Sequence, residues 1–406
     1  MAILPQEALQ IISSLQIVKN KEIIPIEDSL FRISAEDINA PFSLPRYNNS
    51  AMDGYAIVFE DGNNTLKVVD KIFAGDEKEL SIESGTCIKI MTGAKIPHNT
   101  TAIVPIEDVE HLDKKNIKIT SKVSKNQHIR YIGEDILKDE NILKDGDEIN
   151  FAKITLLASM GITHIKVYKK PNILVFASGD ELKQHYEKIL PHQIYNSNTP
   201  TIVARCKELN VNVTFSKTSD DSLEGLKNII SNSLKYDLII TTGGVSVGEA
   251  DFTKAAFGEL GFNSLFDGIV IKPGKPTVFG KIGNSYVLNL PGNPLAAAMI
   301  FEMFGKNIIE VLKGQKAIHH NYIVAKLGKD IKEKTKRVTL LAGFFDGEEF
   351  IVADKTSPGM VSVLSACNSF IALDSGLDGL KKGQIVKVLP ISWNFFTDKY
   401  KDFLTR

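Results

Sequence analysis

Cysteine is scarce in this chain. Cys87, Cys206 and Cys367 stand far apart in 406 residues and form no C-x-x-C pair, which speaks against a disulfide framework or a thiolate zinc cage. The eight histidines show no H-x-x-x-H spacing, so the common helical zinc motif is missing as well. Every apolar run breaks well short of a membrane span, and Met1-Ala-Ile-Leu-Pro-Gln-Glu-Ala lacks the basic segment and apolar core of a signal peptide. No membrane partner is expected, and the cytoplasm is the expected compartment. A formal net charge of -1 supplies no basic field, so nucleic acid is not expected either.

With 43% hydrophobic and 24% charged residues the chain has an ordinary globular composition, too long for one core and suited to two to four domains. Helical patterns are expected from Glu7 to Leu15 and from Ile26 to Ile33, and again around Ile154-Thr-Leu-Leu-Ala-Ser-Met. Residues 1–45 with 141–168 therefore form one helical linker unit. Between them, 46–140 carry short β-like runs such as Ala56-Ile-Val-Phe and Ala102-Ile-Val, which describe an inserted β-rich domain. From 169 to 318 buried-strand runs alternate with helices, the pattern of a parallel α/β sheet. After 318 alternation returns, giving a small C-terminal β domain over 319–406. The fold class is multidomain α/β plus β.

The segment richest in chemistry is Thr241-Thr-Gly-Gly-Val-Ser-Val-Gly-Glu-Ala-Asp, directly after the apolar run Asp237-Leu-Ile-Ile and before a helical pattern. Gly243, Gly244 and Gly248 permit close backbone approach, Ser246 adds a hydroxyl, and a helix start offers unpaired N–H groups. An anion, most often a phosphate, suits such a turn. It is neither G-x-x-x-x-G-K-[ST] nor G-x-G-x-x-G, so a P-loop NTPase or an ordinary dinucleotide fold is disfavoured.

Four turns of the α/β region bring functional groups to one sheet edge: Ser178-Gly-Asp-Glu-Leu, Ser219-Asp-Asp-Ser, the glycine turn, and Lys272-Pro-Gly-Lys-Pro with Pro291-Gly-Asn-Pro. Asp180, Glu181, Asp221 and Asp251 are hard oxygen donors suited to Mg²⁺, although an Asp beside a helix start is equally an N-cap. Lys272 and Lys275 sit in a proline-stiffened turn as candidate anion binders or simply as solvated ammonium groups. Pro291, Gly292, Asn293 and Pro294 open a helix whose first N–H groups are expected to face the cleft. In the inserted domain, Asn49-Ser-Ala-Met-Asp-Gly-Tyr-Ala and Met91-Thr-Gly-Ala-Lys-Ile-Pro are too polar for plain strands. Asp53 there would cap its own backbone and Gly54 would take positive φ, or the turn serves a site; the residues leave both readings open.

Taken together these segments resemble the molybdopterin molybdenumtransferase family, which includes bacterial MoeA and the E domain of gephyrin. The matching stretches are Asn49-Ser-Ala-Met-Asp-Gly-Tyr-Ala, Met91-Thr-Gly-Ala, Gly133-Glu-Asp-Ile, Ser178-Gly-Asp-Glu-Leu, Asp237 through Asp251, Lys272-Pro-Gly-Lys-Pro and Leu290-Pro-Gly-Asn-Pro, in the family's order over nearly the whole chain.

The resemblance implies a helical linker domain, an inserted β domain, a central α/β molybdopterin-binding domain and a C-terminal β barrel, in an elongated homodimer. It implies insertion of molybdate into the dithiolene of adenylylated molybdopterin with release of AMP, and a Mg²⁺ cofactor. Implied catalytic residues are Asp53, Thr92, Glu181, Asp221 and Asp251, with Asp53 and Thr92 acting in trans from the second subunit. Glu181, Asp221 and Asp251 would hold Mg²⁺. Asp180, Gly243, Gly244, Ser246, Gly248, Lys272, Lys275, Pro291, Gly292, Asn293 and Pro294 would cradle the substrates. Implied partners are an upstream molybdopterin adenylyltransferase and downstream molybdoenzymes. A pterin-binding scaffold without turnover and an adenylyltransferase are the competing readings; the Met-Asp-Gly-Tyr domain and the retained acidic and lysine residues favour insertion. After Ile-Pro the family usually has Gly-Ala-Asp, where this chain has His98-Asn99-Thr100-Thr101. Arg337 lacks the usual second arginine, and Ser357-Pro-Gly-Met replaces Gly-Ser-Gly or Gly-Ser-His, so the resemblance leaves the contribution of the C-terminal domain to the site open.

Overall fold

The computed structural model describes residues 2–62, 64–216, 223–243, 252–392 and 404. At its centre is a six-stranded sheet in the order Asn212–Phe215, Asn172–Ala177, Leu238–Thr242, Ser285–Leu290, Val278–Ile282 and Asn263–Asp267. The first four strands run parallel, Val278–Ile282 runs against them and Asn263–Asp267 runs against Val278–Ile282, which places the start of Val278–Ile282 beside the carboxyl end of Ser285–Leu290.

Both faces of this sheet are covered, so its strands are apolar at consecutive positions rather than alternately. Ile173, Val175, Leu238, Ile240 and Leu288 enter one core with Ile202 and Cys206 of helix Asn198–Glu208, Leu295 and Met299 of helix Pro294–Ile300, and Ala8 and Ile12 of helix Pro5–Ser13. Leu174, Phe176, Ile239 and Val287 point the other way, onto Leu226 and Ile230 of helix Leu223–Asn232 and Phe257 of helix Phe252–Glu259. The amino-terminal helix is thus part of the α/β core, and Ile3 exchanges backbone hydrogen bonds with Gly268 and Val270.

The helical expectation for Ile26 to Ile33 fails. Lys21–Pro25 is a strand paired antiparallel with His164–Tyr168, and only the single 3-10 turn Ile26–Asp28 follows. Its apolar residues do not share one face: Ile26 packs with Ile24, Ile165 and Val167 of the small sheet, Ile33 joins Ala35 and Tyr168, and Leu30 and Phe31 are exposed. Helix Phe151–Ser159 does form, capped by the Asn150 side chain, which accepts from Lys153 N at 3.0 Å.

The inserted region builds its own six-stranded sheet, ordered Ala102–Pro105, Gly54–Ile57, Thr86–Ile90, Thr65–Ile72, Asn116–Ile119 and Val109–His111. In the C-terminal region, Val338–Phe345, Glu349–Val352, Ile323–Leu327, Ile385–Pro390 and Ser369–Leu373 pair in a ring that closes on itself, a five-stranded barrel filled by Leu327, Leu341, Phe350, Ile371 and Val388. The short strand Ile271–Lys272 of the α/β region adds to it in parallel, Ile271 against Val338 and Lys272 against Thr339. No helix among the described residues is long and apolar enough to cross a membrane.

Candidate functional site

Three of the parallel strands end side by side. Ala177 is followed by Ser178 and Gly179, Thr242 by Gly243, and Leu290 by Pro291 and Gly292, so their turns meet at one sheet edge. There they line a cavity of about 700 Å³ together with Glu181, Asn196, Asn198, Asn293, Pro294 and Pro276. Its wall mixes polar groups such as Glu181, Asn196 and Asn293 with apolar ones such as Leu182, Pro276 and Pro291.

Local backbone chemistry explains why this edge is open. Gly243 has φ +92°, and a Cβ there would stand 2.6 Å from the carbonyl oxygen of Ser178, so only glycine lets the two strand ends approach. Its N–H donates to Leu290 O at 3.2 Å, tying the second turn to the third. Gly179 has φ +148°, and the Glu181 carboxylate folds back across it, 2.7 Å from where a side chain would begin. Glu181 remains solvent exposed at the cavity wall. Asn198, nearly buried, donates through Nδ2 to Gly292 O at 2.8 Å and holds the third turn from the side of helix Asn198–Glu208. Thr242 contributes a buried hydroxyl that has no hydrogen-bond partner among the described residues.

Of the residues singled out from sequence, Glu181, Gly243, Pro291, Gly292, Asn293 and Pro294 line this cavity. Asp180 is exposed on the same turn. Asp221, Gly244, Ser246, Gly248 and Asp251 lie outside the described residues. Lys272 and Lys275 are not among the lining residues, although Pro276 next to them is. Lys272 instead makes an ion pair with Glu333 of the C-terminal region, while the Lys275 backbone carbonyl accepts from Ile269 N at 2.9 Å and leaves its side chain exposed.

Asp53 and Thr92 sit at the same end of the inserted sheet because the strands they flank are antiparallel neighbours, Gly54 opposite Ile90. Asp53 does not cap its own turn. One of its carboxylate oxygens accepts from both Thr92 N and Thr92 Oγ1, each at 2.7 Å, and these bonds hold the Asp53 carboxyl below the ordinary carboxylate range, the backbone bond most of all. Gly54 is not at positive φ either. Glycine is needed because a Cβ would fall 2.0 Å from Val104 O in the neighbouring strand.

One further expectation changes. The first amides of helix Pro294–Ile300 do not face the cleft unpaired, since Leu295 N and Ala296 N donate to Pro358 O at 3.0 and 3.4 Å. For the same reason the C-terminal region does reach the site: Gly359 and Val361 line the cavity, and a side chain at Gly359 would meet Asn293. Ser357-Pro-Gly-Met departs from the usual family residues, but the backbone carbonyl that makes the contact is carried by any residue.

Among the described residues neither a metal cage nor a reactive thiol lies nearby. Among the described residues no group of three His, Cys, Asp or Glu side chains is placed to hold a metal ion. Burial pushes the Cys87 and Cys206 thiols up to about 12, well away from the thiolate form.

This architecture is matched along the length of the chain. Residues 3–161 fit the family profile described as the MoeA N-terminal region (domain I and II), 174–311 that of a probable molybdopterin binding domain, and 324–391 that of the MoeA C-terminal region (domain IV). A protein named molybdopterin molybdenumtransferase from Haemophilus influenzae is 34% identical over 403 residues, covering 97% of this chain and 99% of its own. The chain belongs to the molybdopterin molybdenumtransferase, or MoeA, family. A relative of the same name from Staphylococcus epidermidis is 33% identical, with 94% of each chain covered. Among solved structures, a molybdopterin biosynthesis MoeA protein from Pyrococcus horikoshii superimposes with a TM-score of 0.81 at 28% identity, covering 97% of this chain and all of its own. In this MoeA chain the cavity falls mainly within the stretch matching the molybdopterin-binding profile, and Gly359 and Val361 bring in the domain IV stretch.

Proposed function

We propose that this chain catalyses the molybdenum-insertion step of molybdenum cofactor biosynthesis, transferring molybdate into the dithiolene of adenylylated molybdopterin and releasing AMP. The observation that carries this reading is the cavity of about 700 Å³ in which the Glu181, Gly243 and Pro291–Pro294 turns converge, in a chain with 34% identity to a molybdopterin molybdenumtransferase over nearly its full length. Both substrates are anions. Small residues let them approach the sheet edge closely, and each polar contact made there would strengthen as the bound substrates displace water.

In this account Glu181 is the carboxylate that positions the nucleotide end, supported by Asp180, Asp221 and Asp251, while Gly244, Ser246 and Gly248 continue the phosphate cradle from Gly243. Pro291, Gly292, Asn293 and Pro294 shape the molybdate pocket. Lys272 and Lys275 approach it from the neighbouring turn, with Lys272 released from Glu333 to meet an anion. Glu181 is exposed at the wall, which fits a Mg²⁺ ion held by one or two carboxylates and substrate phosphates; Asp221 and Asp251 would complete that set. When bound, the ion would neutralise phosphoanhydride charge. Asp53, held ionised by Thr92, would close the cleft from a second copy of the chain in a homodimer. The molybdenum itself is captured by substrate sulfur, so the chain needs no metal cage of its own. The upstream supplier is then a molybdopterin adenylyltransferase, the consumers are molybdoenzymes, and the cytoplasm is where both would be met.

The test is incubation of the purified protein with adenylylated molybdopterin, molybdate and Mg²⁺, following AMP. Release well above a protein-free control is expected; release no faster than the control would leave a pterin-binding scaffold.

A further inference from the structure

An anionic substrate calls for positive charge, yet among the described residues lining the cavity only Glu181 carries a charged side chain, and its charge is negative. The turn that meets the wall at Pro276 carries two lysines, Lys272 and Lys275. Its backbone is fixed. Gly274 O accepts from Thr277 N at 3.2 Å and from Thr277 Oγ1 at 2.7 Å, Thr277 is fully buried, and Lys272 itself lies in the short strand paired with the barrel. What can move is the Lys272 side chain, a flexible four-carbon stem that is half exposed.

That side chain is engaged by Glu333 of strand Ile331–Lys334 in the C-terminal region. Glu333 is presented by firmly held backbone. Its strand pairs antiparallel with Asp378–Leu380, and two residues further on the nearly buried Thr335 donates through Oγ1 to Asp374 O at 2.6 Å while accepting from Leu377 N at 2.9 Å. The barrel is also seated on the α/β region through Pro358 O, so Lys272 can change partner with both backbones in place. Lys272 and Glu333 both keep contact with water, which makes the pair weak enough to yield to a dianion.

We propose that Glu333 is an intramolecular competitor for Lys272: it holds the ammonium group off the site until an oxyanion displaces it, and so sets the molybdate concentration at which the site fills. The identity of the anion rests on the insertion reading; the competition does not. Glu333 acts only through Lys272 and touches no substrate.

The experiment compares the parent, Glu333→Gln, Lys272→Met and the double variant by calorimetric titration of the full chain with molybdate and by AMP release at varied molybdate. Glu333→Gln should bind molybdate about three- to fivefold more tightly than the parent, and its KM for molybdate should fall by the same factor with kcat within about twofold. Lys272→Met should bind about tenfold more weakly, and adding Glu333→Gln to it should change nothing. A purely structural role for Glu333 would lower kcat and leave binding no tighter. The proposal is overturned if Glu333→Gln binds molybdate like the parent or more weakly, if it tightens binding equally in the Lys272→Met background, or if none of the four proteins binds molybdate. Should molybdate bind while no protein releases AMP, the insertion reading fails and the titration alone decides the role of Glu333.

Discussion

At the scale of single residues, two glycines are required for different reasons, Gly243 at the cavity and Gly54 in the inserted sheet. Gly243 combines φ +92° with a Cβ position 2.6 Å from Ser178 O, so Gly243→Ala should cost about 2 kcal/mol of stability and distort the cavity floor. Urea unfolding and AMP release together check it; an alanine variant with parental stability and rate would contradict the packing argument. Gly54 has no unusual φ, yet its contact with Val104 O is closer still at 2.0 Å, so Gly54→Ala should disturb the inserted sheet more severely. Both positions stand out through their motifs, but the positive φ considered at Gly54 is not what requires glycine there, because a clash with a strand fifty residues away leaves no local signature. Asp53 illustrates the same limit. Its partner Thr92 stands 39 residues on, so an Asx turn was the natural local reading. Since the Asp53 carboxyl is held below its ordinary 3.8 by accepting these bonds, the interaction favours the folded state above that pH and is lost as pH falls through the lowered value. Thr92→Val removes the hydroxyl bond and should move the Asp53 pKa back toward 3.8 in an NMR titration; an unmoved value would show the threonine hydroxyl to be irrelevant.

Among the elements, helix Asn198–Glu208 is tied to the layers beneath it by an ion pair as well as by its apolar face. Arg205 donates to both oxygens of Glu302 at 2.6 and 3.0 Å and to Ile391 O at 3.2 Å, linking that helix, the π-helical segment Phe301–Gly305 and the end of the barrel. Arg205→Met would strand a carboxylate that is 5% exposed, and a loss of about 3 kcal/mol is expected in chemical denaturation. Restoring balance with Arg205→Met and Glu302→Leu together should recover most of it; a double variant as weak as the single would show that packing, not charge, holds the junction. Strands and helices of the α/β region were legible because Ile173-Leu-Val-Phe and Asp237-Leu-Ile-Ile are continuous apolar runs bounded by turns, the pattern of strands covered on both faces. The stretch from Ile26 misled because its few apolar residues fit a helix by spacing, whereas Ile26 and Ile33 are buried against residues more than a hundred positions on, Ile26 in a cluster with Ile165 and Ile33 bridged to Glu148. The seating of Pro358 on helix Pro294–Ile300 was illegible for a plainer reason: the atom involved is a backbone carbonyl.

For the whole molecule, the candidate site is built at the junction of the α/β sheet with the barrel, and the reading adds Asp53 and Thr92 from a second copy. Mixing Asp53→Ala and Glu181→Ala proteins under conditions that allow subunit exchange should restore about a quarter of parental activity, since half the dimers are mixed and half their sites are intact. Activity no higher than either variant alone would place both residues in one subunit's site. The most direct measurement of the central claim counts AMP released and molybdenum incorporated in the same reaction, for the parent chain and for Glu181→Ala. The account predicts equal amounts of the two products from the parent and neither from the variant; molybdenum insertion that proceeds without AMP, or at the parental rate without Glu181, would contradict it.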